Sequence, residues 1–164
     1  MKKMKHRISA LALLAIALLS ASCVKQKLET TYNSQEDKID QYIEKNRIVS
    51  GDTLRVVYNA GSSRLVTKEG EGPELAADGN IAFYYAGYTF GGSISNSNLF
   101  VTNHEPSATA PGWTLTEDEA KALTINMNDY RLLPGLKSGP TGVKCGEECQ
   151  ILFTGKYGFG NKAF

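Results

Sequence analysis

Three patterns of apolar and polar positions follow one another along the chain. An apolar run, Ile8 to Leu19, comes first, after a start carrying Lys2, Lys3, Lys5 and Arg7. From Val24 to Asn33 the residues are polar and featureless, as in a tether. Ser34 then offers an N-cap with Asp37 three residues on, and Ile39, Tyr42 and Ile43 recur at helical spacing. This predicts a short amphipathic helix over Gln35–Asn46 that packs on the domain. Its acidic charge argues against a membrane-surface role. After Ser50-Gly51-Asp52 the period falls to two, with β-branched and aromatic residues enriched. Thr53–Tyr58 and Arg64–Lys68 flank Asn59–Ser63 as a hairpin. Asn80–Tyr88 reads as one long strand, Leu99–Thr102 as a short one, and Val143–Phe153 closes with another around Cys149–Phe153. His104–Gly112 holds two prolines and reads as loop, whereas Thr116-Glu117-Asp118-Glu119 can start a helical turn. Strands with one or two short helices predict an α+β domain with an antiparallel sheet.

Charge changes the picture of the front segment. The chain has 18 Lys+Arg against 17 Asp+Glu over 164 residues, but four of the basic residues lie in 1–22. Without them 14 basic face 17 acidic residues, a balance of −3, which argues against nucleic acid as partner. The apolar run of about 12 residues is too short to span a ~30 Å hydrocarbon core and has the build of a secretory signal peptide. Ser20-Ala21-Ser22-Cys23 resembles the bacterial lipobox, with Ser20 where leucine is usual. The resemblance implies a signal peptide over 1–22, a lipid on Cys23, and a lipoprotein held at the membrane of a bacterial cell envelope, on its periplasmic or surface side. A tether and short helix over 23–50 then lead into a domain over 51–164.

Conventional catalytic machinery is missing. Beyond the leader the one histidine is His104, so nucleophilic catalysis with an imidazole base has a single candidate. Cys145 and Cys149 with His104 give at most three soft metal ligands. The two cysteines read as small buried strand residues, about 13 Å apart on a regular strand unless Gly146 makes a tight turn. Gly91-Gly92 lacks the lysine and helix of a phosphate loop. No cofactor is expected.

Four segments, in order, carry a resemblance to the FKBP-type peptidyl-prolyl cis-trans isomerases. Asp78-Gly79-Asn80-Ile81-Ala82-Phe83-Tyr84-Tyr85-Ala86-Gly87-Tyr88, preceded by Gly70-Glu71-Gly72-Pro73, is similar to the family's first long strand and its approach. Leu132-Leu133-Pro134-Gly135-Leu136 resembles "VIPGW", Gly142-Val143-Lys144-Cys145-Gly146-Glu147 resembles "GMKVGE", and Tyr157-Gly158-Phe159-Gly160 stands where "AYG" occurs. The resemblance spans about residues 66–160. It implies an antiparallel sheet wrapped on a short helix, here extended by the N-terminal helix and hairpin. It also implies an apolar pocket for X-Pro segments of polypeptides and a role in protein folding. Tyr85 and Phe100 would form its wall, Leu132 and Leu133 would follow with the Leu133 N–H as a donor to substrate, Leu136 would be the floor and Phe159 the lid side. Each of these residues is also readable as plain core.

The departures from the family are specific. Leu136 replaces the floor tryptophan, and the only tryptophan, Trp113, lies in a longer insertion over His104–Leu123. Phe100-Val101-Thr102-Asn103 lacks the family's aspartate, and Phe159 lacks the lid hydroxyl. The family's last strand has no counterpart before Phe164; strand Thr53–Tyr58 or a strand from another chain could take its place in the sheet. Three readings follow: an isomerase, a binding module or holdase of the same fold without turnover, and a structural envelope lipoprotein.

Overall fold

The computed structural model describes residues 26–160 and divides into two units, the first ending at Ser34 and the second running Gln35–Phe164. The leader and Cys23 lie outside the described residues. Residues 26–46 are helical (α1), so the segment expected to be a featureless tether is helix from residue 26. Within the first unit Thr30 and Thr31 donate their hydroxyls to the carbonyls of Gln26 and Lys27, both at 2.9 Å. An exposed helix that satisfies its polar side chains on its own backbone leaves no apolar period to read.

In the second unit α1 behaves as its spacing predicts. Ile39 and Ile43 are buried with Leu152, and Tyr42, Val56 and Phe90 pack around them. The Tyr42 ring meets Phe90 edge-on at 5.3 Å, and its hydroxyl donates to Gln150 Oε1 at 2.9 Å. Burial raises the Tyr42 phenol above its ordinary value, against a smaller opposing effect of that hydrogen bond.

The strands are β1 Ile48–Val49, β2 Asp52–Thr53, β3 Val56–Asn59, β4 Ser62–Lys68, β5 Asn80–Phe83, β6 Ala86–Tyr88, β7 Leu99–Thr102, β8 Leu123–Asn126 and β9 Glu148–Phe153. All pairings are antiparallel: a three-stranded sheet β3-β4-β9 and the separate pairs β1-β2, β5-β8 and β6-β7. The protein is thus α+β with antiparallel sheets, divided among several small sheets instead of one. The expected strand Thr53–Tyr58 is split between β2 and β3, and β3 pairs along β4 on the side opposite β9. Its hairpin turn has two residues, not five. Ala60 (φ 41°) and Gly61 (φ 88°) both take left-handed backbone, the geometry that matches the twist of paired strands. The Tyr157 ring occupies the place a side chain at position 61 would need.

Asn80–Tyr88 is also two strands. The chain breaks at Tyr84-Tyr85, so that β5 pairs with β8 and β6 with β7. Glu105–Thr109, expected as loop, is a helix (α2); Pro106 sits in its first turn, where a missing N–H costs nothing, and Pro111 lies beyond its end. Thr116 and Glu119 do form a reciprocal capping box, Glu119 Oε2 accepting from the Thr116 N–H at 2.8 Å, but only one turn follows before β8. Pro134–Ser138 is the short helix α3, which contacts β4 and β9.

That contact relies on absent side chains. Carbon added at Gly135 would collide with the Phe153 ring, and at Gly139 with Ile151. Elsewhere in a helix Gly→Ala gains up to about 1 kcal/mol. Here Gly135→Ala is expected to destabilise the fold by about 1–3 kcal/mol through overpacking. Urea unfolding checks the sign, and a stabilised variant would show that α3 does not sit closely on β9.

Candidate functional site

The segment leading into α3 is held by its own charges. Asp129 and Arg131 form a fork, with Arg131 Nη2 at 2.7 Å from Asp129 Oδ2 and the Arg131 N–H at 2.9 Å from Oδ1. Those bonds hold the Asp129 carboxyl down at about 2. The Leu132 N–H donates to the Asp129 carbonyl at 3.2 Å. Between them Tyr130 projects, 87% exposed, a surface aromatic that sequence reasoning passed over. Leu133 caps α3 with its carbonyl, which accepts from the N–H groups of Leu136 (2.9 Å) and Lys137 (3.0 Å). The Leu133 N–H itself makes no hydrogen bond among the described residues.

The candidate pocket residues differ in placement. Leu132 and Leu133 are half-buried at the start of α3. Leu136, expected as a floor, is 38% exposed on α3, and Phe159 is 43% exposed just after the turn Gly155–Tyr157. Phe100 is 44% exposed on β7, with its ring over Gly87, where an added carbon would sit 3.1 Å from Phe100 Cζ. Tyr85 is half-buried at the break between β5 and β6 and lines an open cavity of about 360 Å³ with Asn103, Asp118, Glu119, Lys121 and Leu123. Of the six candidates, Tyr85 alone lines this cavity. On α3 the side against β9 carries Gly135 and, at the C-cap, Gly139, and Leu136 lies away from it.

Asn103 holds the break at Tyr85. It is buried, its Oδ1 accepts from the Tyr85 N–H at 2.6 Å, and its Nδ2 donates to the carbonyls of Phe83 (3.2 Å) and Lys121 (2.9 Å). Thr102 Oγ1 donates to the Tyr85 carbonyl at 2.6 Å. One amide side chain thus satisfies three backbone groups, from the segment Phe83–Tyr85 and from Lys121, that a strand ladder would otherwise pair.

Beneath α3 lies an ion pair with no counterpart in the sequence reading. Arg64, 2% exposed on β4, donates from Nη1 to the carbonyls of Gly139 and Thr141, both at 2.8 Å. Its Nε stands 3.2 Å from Oε1 of Glu147, whose side chain is wholly buried. That approach is close enough for an ion pair but is not aligned as a hydrogen bond. Arg55 bridges outward from Glu147 Oε2 (3.1 Å) to Glu69, binding the latter with Nε and Nη2 at 2.8 and 2.7 Å. The Arg55 hydrogen bonds hold the exposed Glu69 carboxyl below its ordinary value.

Other chemistry is limited. His104 Nδ1 lies 2.9 Å from Ser107 Oγ across the first turn of α2, with no carboxylate on the ring among the described residues. Among the described residues no group of three or more His, Cys, Asp or Glu is placed to hold a metal, and no helix is long and apolar enough to cross a membrane. The cysteines were expected to be small buried strand residues. Instead Cys145 is exposed at a turn where Gly146 has φ 75°, and only Cys149 lies on a strand; both are free thiols. Burial, with the Glu147 carboxylate nearby, pushes the Cys149 thiol up to about 11. No protein-family model, curated protein or solved structure matches this chain.

Two outcomes follow. Arg64→Met leaves the buried Glu147 carboxylate with Arg55 as its remaining cation and frees the Gly139 and Thr141 carbonyls, and is expected to cost about 2–4 kcal/mol in urea unfolding. Adding Glu147→Leu should restore part of the loss, the Gly139 and Thr141 carbonyls staying unpaired; a cost under about 1 kcal/mol for Arg64→Met would mean that the pair organises nothing. In a thiol-labelling series, Cys145 should react at pH 8 and Cys149 only as pH approaches 11, because the neutral thiol is the favoured form below that value. Equal rates at pH 8 would contradict the burial of Cys149.

Proposed function

We propose that this chain is a lipid-anchored envelope protein that binds X-Pro segments of polypeptides and catalyses their cis-trans isomerisation, in the manner of the FKBP-type family its motifs resemble. The observation that carries the reading is the Leu133 N–H. It is a backbone donor without an internal partner, set between half-buried Leu132 and Leu133 and followed by outward-facing Leu136. An extended peptide offers the carbonyl that such a donor lacks, and a proline ring offers apolar surface for the leucines. No nucleophile is needed. The barrier of about 18–20 kcal/mol is the loss of amide conjugation, and apolar surroundings favour the twisted amide over its solvated planar form. Lipidation at Cys23 would hold this surface against nascent envelope proteins.

A second reading, binding without turnover, is favoured by one feature. Leu136 and Phe159 are 38% and 43% exposed and do not line the cavity beside Tyr85, so a bound X-Pro bond would keep much of its hydration. The discriminating experiment follows isomerisation of a short uncharged X-Pro peptide, a reaction of tens of seconds or longer near 25 °C when unassisted. Acceleration that disappears in a folded Leu133→Asp variant is the expected result. Binding of the peptide without acceleration would select the second reading, and neither binding nor acceleration by the folded protein would overturn both.

A further inference from the structure

The second half of the insertion over 104–123 lines the Tyr85 cavity, and its first half builds a separate depression of its own. A cavity of about 340 Å³ is lined by Glu105, Ala108, Thr109, Trp113, Thr114 and Leu115. The main chain that carries its indole is tied down locally. The Trp113 backbone N–H donates to the Ala108 carbonyl at 2.8 Å, and the N–H of Gly112, at φ 86°, donates to the Thr109 carbonyl at 2.9 Å. Ala108 is buried and anchors the turn from below, while Trp113 stays 41% exposed. A large aromatic ring kept partly open on a backbone this constrained is a preorganised face.

The charge beside that face is uncompensated. Residues 104–123 hold one lysine against four carboxylates, a balance of −3 equal to that of the whole chain beyond residue 22. Asp118 is paired with Lys121 at 2.6 Å, and Glu119 is bound by Thr116. Glu105, on the cavity wall, makes no side-chain hydrogen bond or ion pair among the described residues. An indole face with an unpaired carboxylate and two threonines nearby suits a planar cation, which can lie on the ring and direct its N–H groups to the carboxylate. We propose that this depression is a subsite for the guanidinium of an arginine side chain in a bound polypeptide. The source of that side chain rests on the polypeptide-binding reading above; the subsite itself does not.

The protein carries a single tryptophan, so its emission reports this site alone. The full chain is titrated with N-acetyl-arginine amide, with the citrulline analogue as an uncharged isostere, and with a monosaccharide. A saturable change in Trp113 emission with the arginine compound and not the citrulline one is expected, weakened roughly threefold in Glu105→Gln, as for an exposed ion pair. Trp113→Phe, followed by NMR shifts of the ligand, should weaken binding while thermal unfolding shows the fold intact. No saturable response, an equal response to citrulline, or a response to the sugar alone would overturn the proposal. The uncharged X-Pro peptide assay is separate: it can fail while arginine binds, or succeed while arginine does not.

Discussion

A guanidinium and a carboxylate buried together are costly to bring out of water, and such a pair persists only where its remaining donors and acceptors are satisfied. Arg64 and Glu147 meet that condition through other segments. Two carbonyls just after α3 take the Arg64 Nη1 protons, and Arg55 takes the outer oxygen of Glu147. The consequence is positional. The strand β4, the residues that end α3 and the approach to β9 are fixed to one another by a single charged centre. The two glycines that let α3 lie against Phe153 and Ile151 work only if the helix is held at that height, and Arg64 holds it. The start of α3, with the Leu133 N–H, inherits its orientation from this centre.

A second polar knot does the same for the other half of the second unit. The chain would be one long strand from Asn80 to Tyr88 if its residues alone decided. Asn103 instead captures the backbone at Phe83 and Tyr85, and β5 and β6 turn to different partners. In each of these two-stranded pairs both strands are edges, and Phe100 on β7 stays 44% exposed. In both halves a buried polar side chain, more than an apolar core, decides where backbone goes.

What was legible in the sequence follows from this. Ile39, Tyr42 and Ile43 were readable because their burial is periodic, and β7 because its four residues lie between clear turn signals. The mixed α+β class follows from the same local cues. The β3–β4 turn was misjudged in length since the left-handed pair Ala60-Gly61 carries only one glycine. The helix α2 was hidden by prolines that its first turn tolerates. Arg64, Glu147 and Asn103 gave no signal at all: each is a polar residue whose role depends on carbonyls far along the chain. Of the pocket candidates, Leu132, Leu133 and Tyr85 are half-buried, while Phe100, Leu136 and Phe159 are exposed, a difference that the motif does not encode.

The division between buried charge and open apolar surface bears on what the protein can do. A binding surface for extended peptide needs a donor fixed in space and side chains free to adapt around the ligand. The Leu133 N–H is fixed, since α3 is clamped by the ion pair beneath it and the Asp129–Arg131 fork before it. Leu136 stands on the outer side of that clamp, 38% exposed on α3. Under the proposed function, a fixed backbone donor beside an exposed leucine favours tolerance of sequence over tight enclosure, and selectivity would come from charge outside the X-Pro contact, such as the acidic insertion with its partly exposed indole.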